Sequence, residues 1–232
     1  MNRQLHRPDD PSQVIIRGCG LLEIPIQPQA LAAMDRYIEL VLQWRKRARL
    51  TSLNDPIEIA IFHFLDSLAV FKVLPLHSGY HVLDLGTGAG FPGIVMRIAD
   101  PSLEIALMDR DPRKIVFLKY VVKQLGIQGV RFLNIRLQDM LANPRGNNFH
   151  GIVSRAFSSD PNLMDSLSSL LYPGGSLIRM AGPASLGENF ALKNFIPTAL
   201  WEGVLPFSNR FRRVLRYTVR SHTNSHSRKR HY

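Results

Sequence analysis

The run His81-Val82-Leu83-Asp84-Leu85 leads directly into Gly86-Thr87-Gly88-Ala89-Gly90-Phe91-Pro92-Gly93. This commits the middle of the chain to a short strand, a tight glycine turn and a helix opened by Pro92. Glycines let the backbone turn sharply and let a ligand approach it closely. The free N–H groups of the following helix then face that ligand. In open sheets of this kind, ligands sit at the carboxyl ends of the strands, where the strand order reverses.

The segments after the loop repeat the same grammar. Leu103–Met108 reads as a strand ending at Asp109, Pro112–Leu125 as an amphipathic helix closed by Gly126, and Val130–Asn134 as a third strand. Phe149–Ser154, a helix over about 161–171, a turn at Tyr172-Pro173-Gly174-Gly175 and Ser176–Met180 come next. A short helix near 187–193 and late strands near 200–205 and 212–220 complete the pattern. Alternating strands and helices predict an α/β fold, a doubly wound, mostly parallel sheet with helices on both faces.

Upstream, residues 1–27 look irregular, with Pro8, Pro11, Gly18, Gly20 and Pro25 as breakers. From Pro28 to about Arg49, Leu31, Met34, Ile38, Val41 and Leu42 form one helical apolar stripe, ending in the cations Arg45, Lys46, Arg47 and Arg49. Those cations suit either the helix macrodipole or a phosphate. Asp55 and Pro56 start a mostly apolar helix over about 56–74. The expected organisation is an irregular segment 1–27, a helical extension 28–75, a cofactor-binding domain 76–220 and a disordered basic tail 221–232.

The net charge is +11, yet eight of the 29 Lys and Arg residues and none of the 18 acids lie in 203–232, leaving +3 for residues 1–202. Such a C-terminal charge suits a polyanion, nucleic acid before membrane, or serves only solubility. The single cysteine, Cys19, rules out an internal disulfide and an all-cysteine metal site. No apolar run approaches the ~18 residues of a membrane span, and the N-terminus lacks a signal-peptide stretch. A cytoplasmic protein with no membrane partner and no bound metal is expected.

The loop holds both a Gly-x-Gly-x-Gly pattern (86, 88, 90) and a Gly-x-Gly-x-x-Gly pattern (88, 90, 93). The second is also a dinucleotide fingerprint. Asp84 separates the readings, because an anion beside a pyrophosphate is repulsive. It suits a ligand carrying an ammonium and a sulfonium, as S-adenosylmethionine does. Asp109 can accept from ribose hydroxyls in either case.

Several stretches together resemble one family. Leu50-Thr51-Ser52, Asp55-Pro56, His63-Phe64-Leu65-Asp66-Ser67, the loop Asp84–Gly93 and Val153-Ser154-Arg155-Ala156-Phe157 are similar to signatures of the bacterial 16S ribosomal RNA guanine-N7 methyltransferases, or glucose-inhibited division protein B. The resemblance spans about residues 20–220. It implies a class I methyltransferase fold, S-adenosylmethionine as cofactor, and ribosomal RNA or the small subunit as partner of a monomeric enzyme.

Cofactor contacts are implied at Gly86, Phe91, Leu137, Gln138 and Arg155, with Asp109 the acid after the second strand. Asp84, Gly88 and Gly90 complete the expected cofactor set. His63, Asp66 and Ser67, on one side of a helix, become RNA-side candidates or a packing network. Guanine N7 is an unprotonated acceptor, open in the major groove. Its lone pair attacks a methyl directly, so positioning in line suffices and no catalytic base or nucleophile is required.

The chain departs from the family pattern in places. Family members usually carry asparagine at the positions of Arg45 and Arg49, arginine at Phe62, lysine at Ala181 and an acidic pair at Gln138-Asp139. The changes fall mostly on the RNA side. Other readings are a methyltransferase for another RNA or a small molecule, or a non-catalytic RNA-binding or ribosome-assembly paralogue. A dinucleotide oxidoreductase fits least.

Overall fold

The computed structural model describes residues 7–74, 79–144, 146, 148–155, 160–182 and 191–220. The first element corrects the expectation of an irregular N-terminus. Helix α1 spans Pro11–Leu22. Asp10 caps it by accepting from the N–H of Gln13 at 2.9 Å, and Pro11 takes the first helical position. Gly18 is a contact glycine: a Cβ there would strike the side chain of Leu65. The helix ends at Glu23, which adopts φ 55 and returns its N–H to Cys19 and Gly20.

Helix α2 covers Pro28–Trp44 and buries Met34, Tyr37, Ile38 and Val41. It stops before the basic cluster, which forms a separate turn over 45–49. The expected single helix over 56–74 is a composite. Helix α3, Pro56–Ile59, passes into a π turn over Ala60–Leu65, then α4, Asp66–Leu68, and a 3₁₀ turn over Ala69–Lys72. The π turn closes where the N–H of Asp66 meets the carbonyl of Ile61. One extra residue per turn rotates the next helical segment about the axis, and such turns recur at functional sites.

The sheet contains β1 (His81–Leu85), β2 (Glu104–Met108), β3 (Val130–Leu133), β4 (Phe149–Arg155), β5 (Leu171–Ala181), β6 (Phe195–Val204) and β7 (Phe211–Val219). Their order is β3-β2-β1-β4-β5-β7-β6. The first five strands run parallel, and β7 pairs antiparallel with both β5 and β6. The order reverses between β1 and β4, so their carboxyl ends define the switch point.

The connections are α5 (Gly93–Ala99), α6 (Pro112–Gln124), α7 (Leu137–Ala142) and α8 (Pro161–Ser166), the last continued by a 3₁₀ turn to Leu170. Helix α7 is a short element at residues expected only as a segment after β3. Residues 172–175, expected as a turn, belong to β5, with Gly174 at φ 76. Strand β6 begins five residues earlier than its expected start near 200. Of the helix expected at 187–193, residues 187–190 lie outside the described residues and 191–193 are not helical; the tail 221–232 also lies outside them.

The core lies on both faces of the sheet. Side chains of α1 to α4 share one apolar cluster with α5, α6 and the face of β1 carrying Val82. Leu83 and Leu85, on the other face, pack with Met140, Met164 and Leu167. The alternation along β1 explains why both clusters are reached from one strand. No helix among the described residues is long and apolar enough to cross a membrane.

Candidate cofactor and acceptor site

The glycine loop leaves β1 at the switch point. Met108 at the end of β2 accepts from the N–H groups of both Gly86 and Thr87, each at 2.9 Å, which bends the loop across the strand ends. Gly86 has φ 73, and a Cβ there would project into open space beside the cleft. Gly88 is half-exposed, with φ 60. Gly90 faces inward, where a Cβ would collide with Tyr37, Ile94 and Leu118. It serves close packing between loop and helices.

Asp84 lies beneath this loop with 0% exposure. Its Oδ2 accepts from Thr87 Oγ1 at 2.6 Å and from the Gly93 N–H at 2.7 Å, while Oδ1 has no hydrogen-bond partner. Burial pushes its pKa up to about 6, against the opposing pull of those two donors and Arg155. Asp84 thus shapes the loop from inside, whereas the sequence suggested a direct charge partner for the ligand.

Asp109 follows β2 and is 8% exposed. One carboxylate oxygen accepts from the Gly88 N–H at 3.0 Å and lies 3.5 Å from Lys114 Nζ. The other accepts from the Asp111 N–H at 2.9 Å. Beside it opens a cleft of about 570 Å³, lined by Gly86, Asp109, Arg110, Lys114, Leu137 and Gln138 among others. Leu137 and Gln138 occupy the first turn of α7, with Leu137 buried and Gln138 exposed. A cavity of equal volume lies at the amino ends of the strands near His81, Glu104 and Arg131. Of these two cavities, the switch-point cleft is the one that combines the loop backbone with a strand-end carboxylate.

On the other side of the loop the N-terminal helices meet the sheet. The buried ring of Phe91 stacks between Tyr37, at 5.3 Å and 26°, and His63, at 4.7 Å and 20°. That ring supports the loop, so its backbone is the part left for a ligand. The Phe91–Pro92 peptide is cis.

Arg155 ends β4 and spans to the π turn. Its Nη2 lies 2.8 Å from Asp66 Oδ2 and donates to the Phe62 carbonyl at 3.1 Å; Nη1 is 3.4 Å from His63 Nδ1. Asp66, 3% exposed, also accepts from Arg212 Nε of β7 at 2.9 Å. Because a guanidinium only donates, Nδ1 of His63 is the acceptor and Nε2–H points to Thr51 Oγ1, 2.8 Å away. Burial first and Arg155 second lower the His63 pKa to about 3, so the ring is neutral. Ser67 is fully buried and donates to the His63 carbonyl, a contact within the helix.

The structure thus gathers His63, Asp66 and Arg155 at one edge of the loop, and Gly86, Gly88, Asp109, Leu137 and Gln138 at the other. Sequence reasoning missed Tyr37, Thr87, Lys114, Arg210 and Arg212. Lys114 had a local signal, standing five residues after Asp109 in the first turn of α6. Arg212, 146 residues from Asp66, had none. Ala156 and Phe157 of the last signature lie outside the described residues. Among the described residues no group of three or more His, Cys, Asp or Glu is placed to hold a metal ion.

A doubly wound sheet with this strand order, a glycine loop at the switch point and an acid after β2 define a class I methyltransferase. The solved structure of a SAM dependent methyltransferase from Aquifex aeolicus has the same fold, with TM-score 0.54 and 16% identity over 74% of this chain and 97% of that one. TrmN from Thermus thermophilus gives TM-score 0.54 and 16% identity over 67% of this chain and 48% of that one.

Within that class, residues 30–197 match GidB, described as rRNA small subunit methyltransferase G, and the chain belongs to this family. Ribosomal RNA small subunit methyltransferase G of Moorella thermoacetica is 36% identical over 71% of this chain and 69% of its own length. The protein of that name from Anaeromyxobacter sp. is 32% identical over 88% of this chain and 95% of its own.

Proposed function

We propose that this protein transfers a methyl group from S-adenosylmethionine to N7 of a guanine in small-subunit ribosomal RNA. The observation that carries the reading is the switch-point cleft, with Gly86 and Asp109 on its wall, in a chain whose residues 30–197 match this family. The residues present fit the cofactor. The loop leaves open space where a Cβ at Gly86 would stand, and a carboxylate closes the end of β2. The names of the relatives support the RNA substrate.

S-adenosylmethionine, when bound, supplies a methyl on a positively charged sulfur. Gly86 and Gly88 offer backbone to it, and Asp109 offers a ribose-hydroxyl acceptor. Leu137 offers an apolar surface and the Gln138 N–H a donor for the adenine. Asp84 and Phe91 act by holding the loop in shape.

Guanine N7 has no proton to lose, so the site requires no base. The neutral His63, with both ring nitrogens engaged, suits that requirement. Arg155 and Arg212 share the anion Asp66, and the exposed guanidinium of Arg210 over the Phe62 ring offers an RNA phosphate a cation beside them.

The test is incubation with tritiated S-adenosylmethionine and small-subunit ribosomal RNA from a strain lacking the family enzyme, free and within particles. Label in RNA, mapped to a guanine N7, is expected. Cofactor binding by calorimetry without any label in RNA overturns the substrate assignment.

A further inference from the structure

We propose that the turn over residues 45–49 is a docking point for the phosphate backbone of the RNA strand that presents the acceptor, a proposal resting on the RNA reading above. The turn places Arg45, Lys46, Arg47 and Arg49 within five residues. None of the four makes an ion pair with a described carboxylate, and Lys46, Arg47 and Arg49 are exposed. Some surface cations are paired, as Arg36 is with Glu39 and Arg113 with Asp111, whereas here four lie together in five residues. A concentrated positive charge with no internal neutralisation holds mobile counterions, and a phosphodiester chain gains free energy by releasing them.

The turn has a fixed shape. The Ala48 N–H donates to the Trp44 carbonyl at 2.9 Å and the Leu50 N–H to the Arg45 carbonyl at 3.0 Å. Arg49 adopts φ 49. The guanidinium of Arg47 stands 5.1 Å from the centre of the Trp44 ring, which packs against Phe117 and Tyr120 of α6. Cations held on a rigid turn lose less freedom on binding than cations on a loose tail.

The turn also leads into the site. Two residues beyond Arg49, Thr51 Oγ1 meets His63, whose ring lies on Phe91 of the glycine loop. Next to His63, the ring of Phe62 carries the exposed guanidinium of Arg210, 3.9 Å from its centre. The turn is thus linked through Thr51 and His63 to the edge of the glycine loop held by Asp66 and Arg155. An anionic membrane is the weaker occupant, because surface insertion requires apolar side chains on the same face. Within the turn, the sole apolar residue, Ala48, is 1% exposed.

The experiment measures binding of the full chain to protein-free small-subunit ribosomal RNA across a salt series. It compares wild type, the double variant Arg45→Asn with Arg49→Asn, and the control Arg131→Gln at the opposite end of the sheet. Asparagine tolerates the left-handed backbone of position 49. Removing two phosphate contacts should reduce the steepness of the fall of log affinity with log salt by about 1.4–1.8. The control should keep the wild-type slope, and calorimetry should give unchanged S-adenosylmethionine affinity for the double variant.

An unchanged slope in the double variant overturns the proposal. So does an equal fall in the control, which would mean diffuse attraction. Loss of cofactor affinity would make the turn a structural support, and binding confined to phosphatidylglycerol vesicles would assign it to lipid; either result also overturns the proposal. Failure to label guanine N7 while the double variant still alters RNA binding would sink the proposed reaction and leave the docking turn standing.

Discussion

The phenol of Tyr37 in α2 donates a hydrogen bond to the carbonyl of Ala89 in the glycine loop, 52 residues further along the chain. Burial raises the Tyr37 pKa well above its ordinary value, so the phenol remains a donor. The N-terminal helices thereby fix the backbone of the cofactor loop as well as covering the sheet.

Tyr37→Phe keeps the ring and its stack on Phe91 but leaves a buried carbonyl without its donor. A loss of about 1–3 kcal/mol in stability is expected. Part of it should appear as weaker S-adenosylmethionine binding, because the loop relaxes. Urea unfolding and calorimetry measure the two parts. Equal cofactor affinity in variant and wild type would confine the bond to stability.

Asp109→Ala should weaken S-adenosylmethionine binding by roughly 10- to 100-fold, the range for hydrogen bonds to a charged group. RNA affinity should stay close to wild type, since Asp109 lies in the cofactor half of the site. Asp109→Asn retains one acceptor oxygen and should recover part of the loss. Unaltered cofactor affinity in both variants removes Asp109 from the site.

Asp66→Ala strands Arg155 and Arg212, both largely covered, without their shared anion. Breaking a buried pair from one side costs about 3–5 kcal/mol, with the lower end expected here because Arg155 retains some solvent. The midpoint of urea unfolding should drop accordingly. A shift under ~1 kcal/mol would place this cluster with ordinary surface ion pairs.

Two buried groups titrate with opposite sign. Asp84, raised from 3.8 to about 6, is protonated in the fold before it is in the unfolded chain, so acidification through 6 favours folding. His63, lowered from 6.5 to about 3, is neutral in the fold while the unfolded chain charges, so acidification below 6.5 opposes folding. Between about pH 4 and 6 the two contributions offset. Asp84→Asn removes the first, and its stability should fall more steeply than wild type on acidification, by up to about 1.4 kcal/mol per pH unit. Parallel pH profiles for the two proteins would contradict the opposed titrations.

The parts readable from sequence were those with local causes. The strand, loop and helix over 81–99 are dictated by adjacent residues, as is the acid after β2. Helix α1 was hidden because Gly18 and Gly20 count as breakers locally, while Gly18 is small in order to pass Leu65. The π turn was hidden inside a continuous apolar run. His63, Asp66 and Arg155 were each legible as candidates, but their union was not. It depends on a 92-residue closure between His63 and Arg155 that no spacing rule encodes. Arg210 and Arg212 come from a late hairpin, and only the folded sheet brings them to the N-terminal helices.

The clasp of Asp66 by Arg155 and Arg212 sets an order of completion during synthesis. A chain growing from its N-terminus presents Asp66 first and the glycine loop soon after. The second guanidinium arrives only with β7, within the last tenth of the chain. Until that strand is laid beside β5, this edge of the loop is unfinished even where the loop has formed. A nascent chain therefore completes the clasp last, and a product truncated before β7 would lack one of the two cations that secure it.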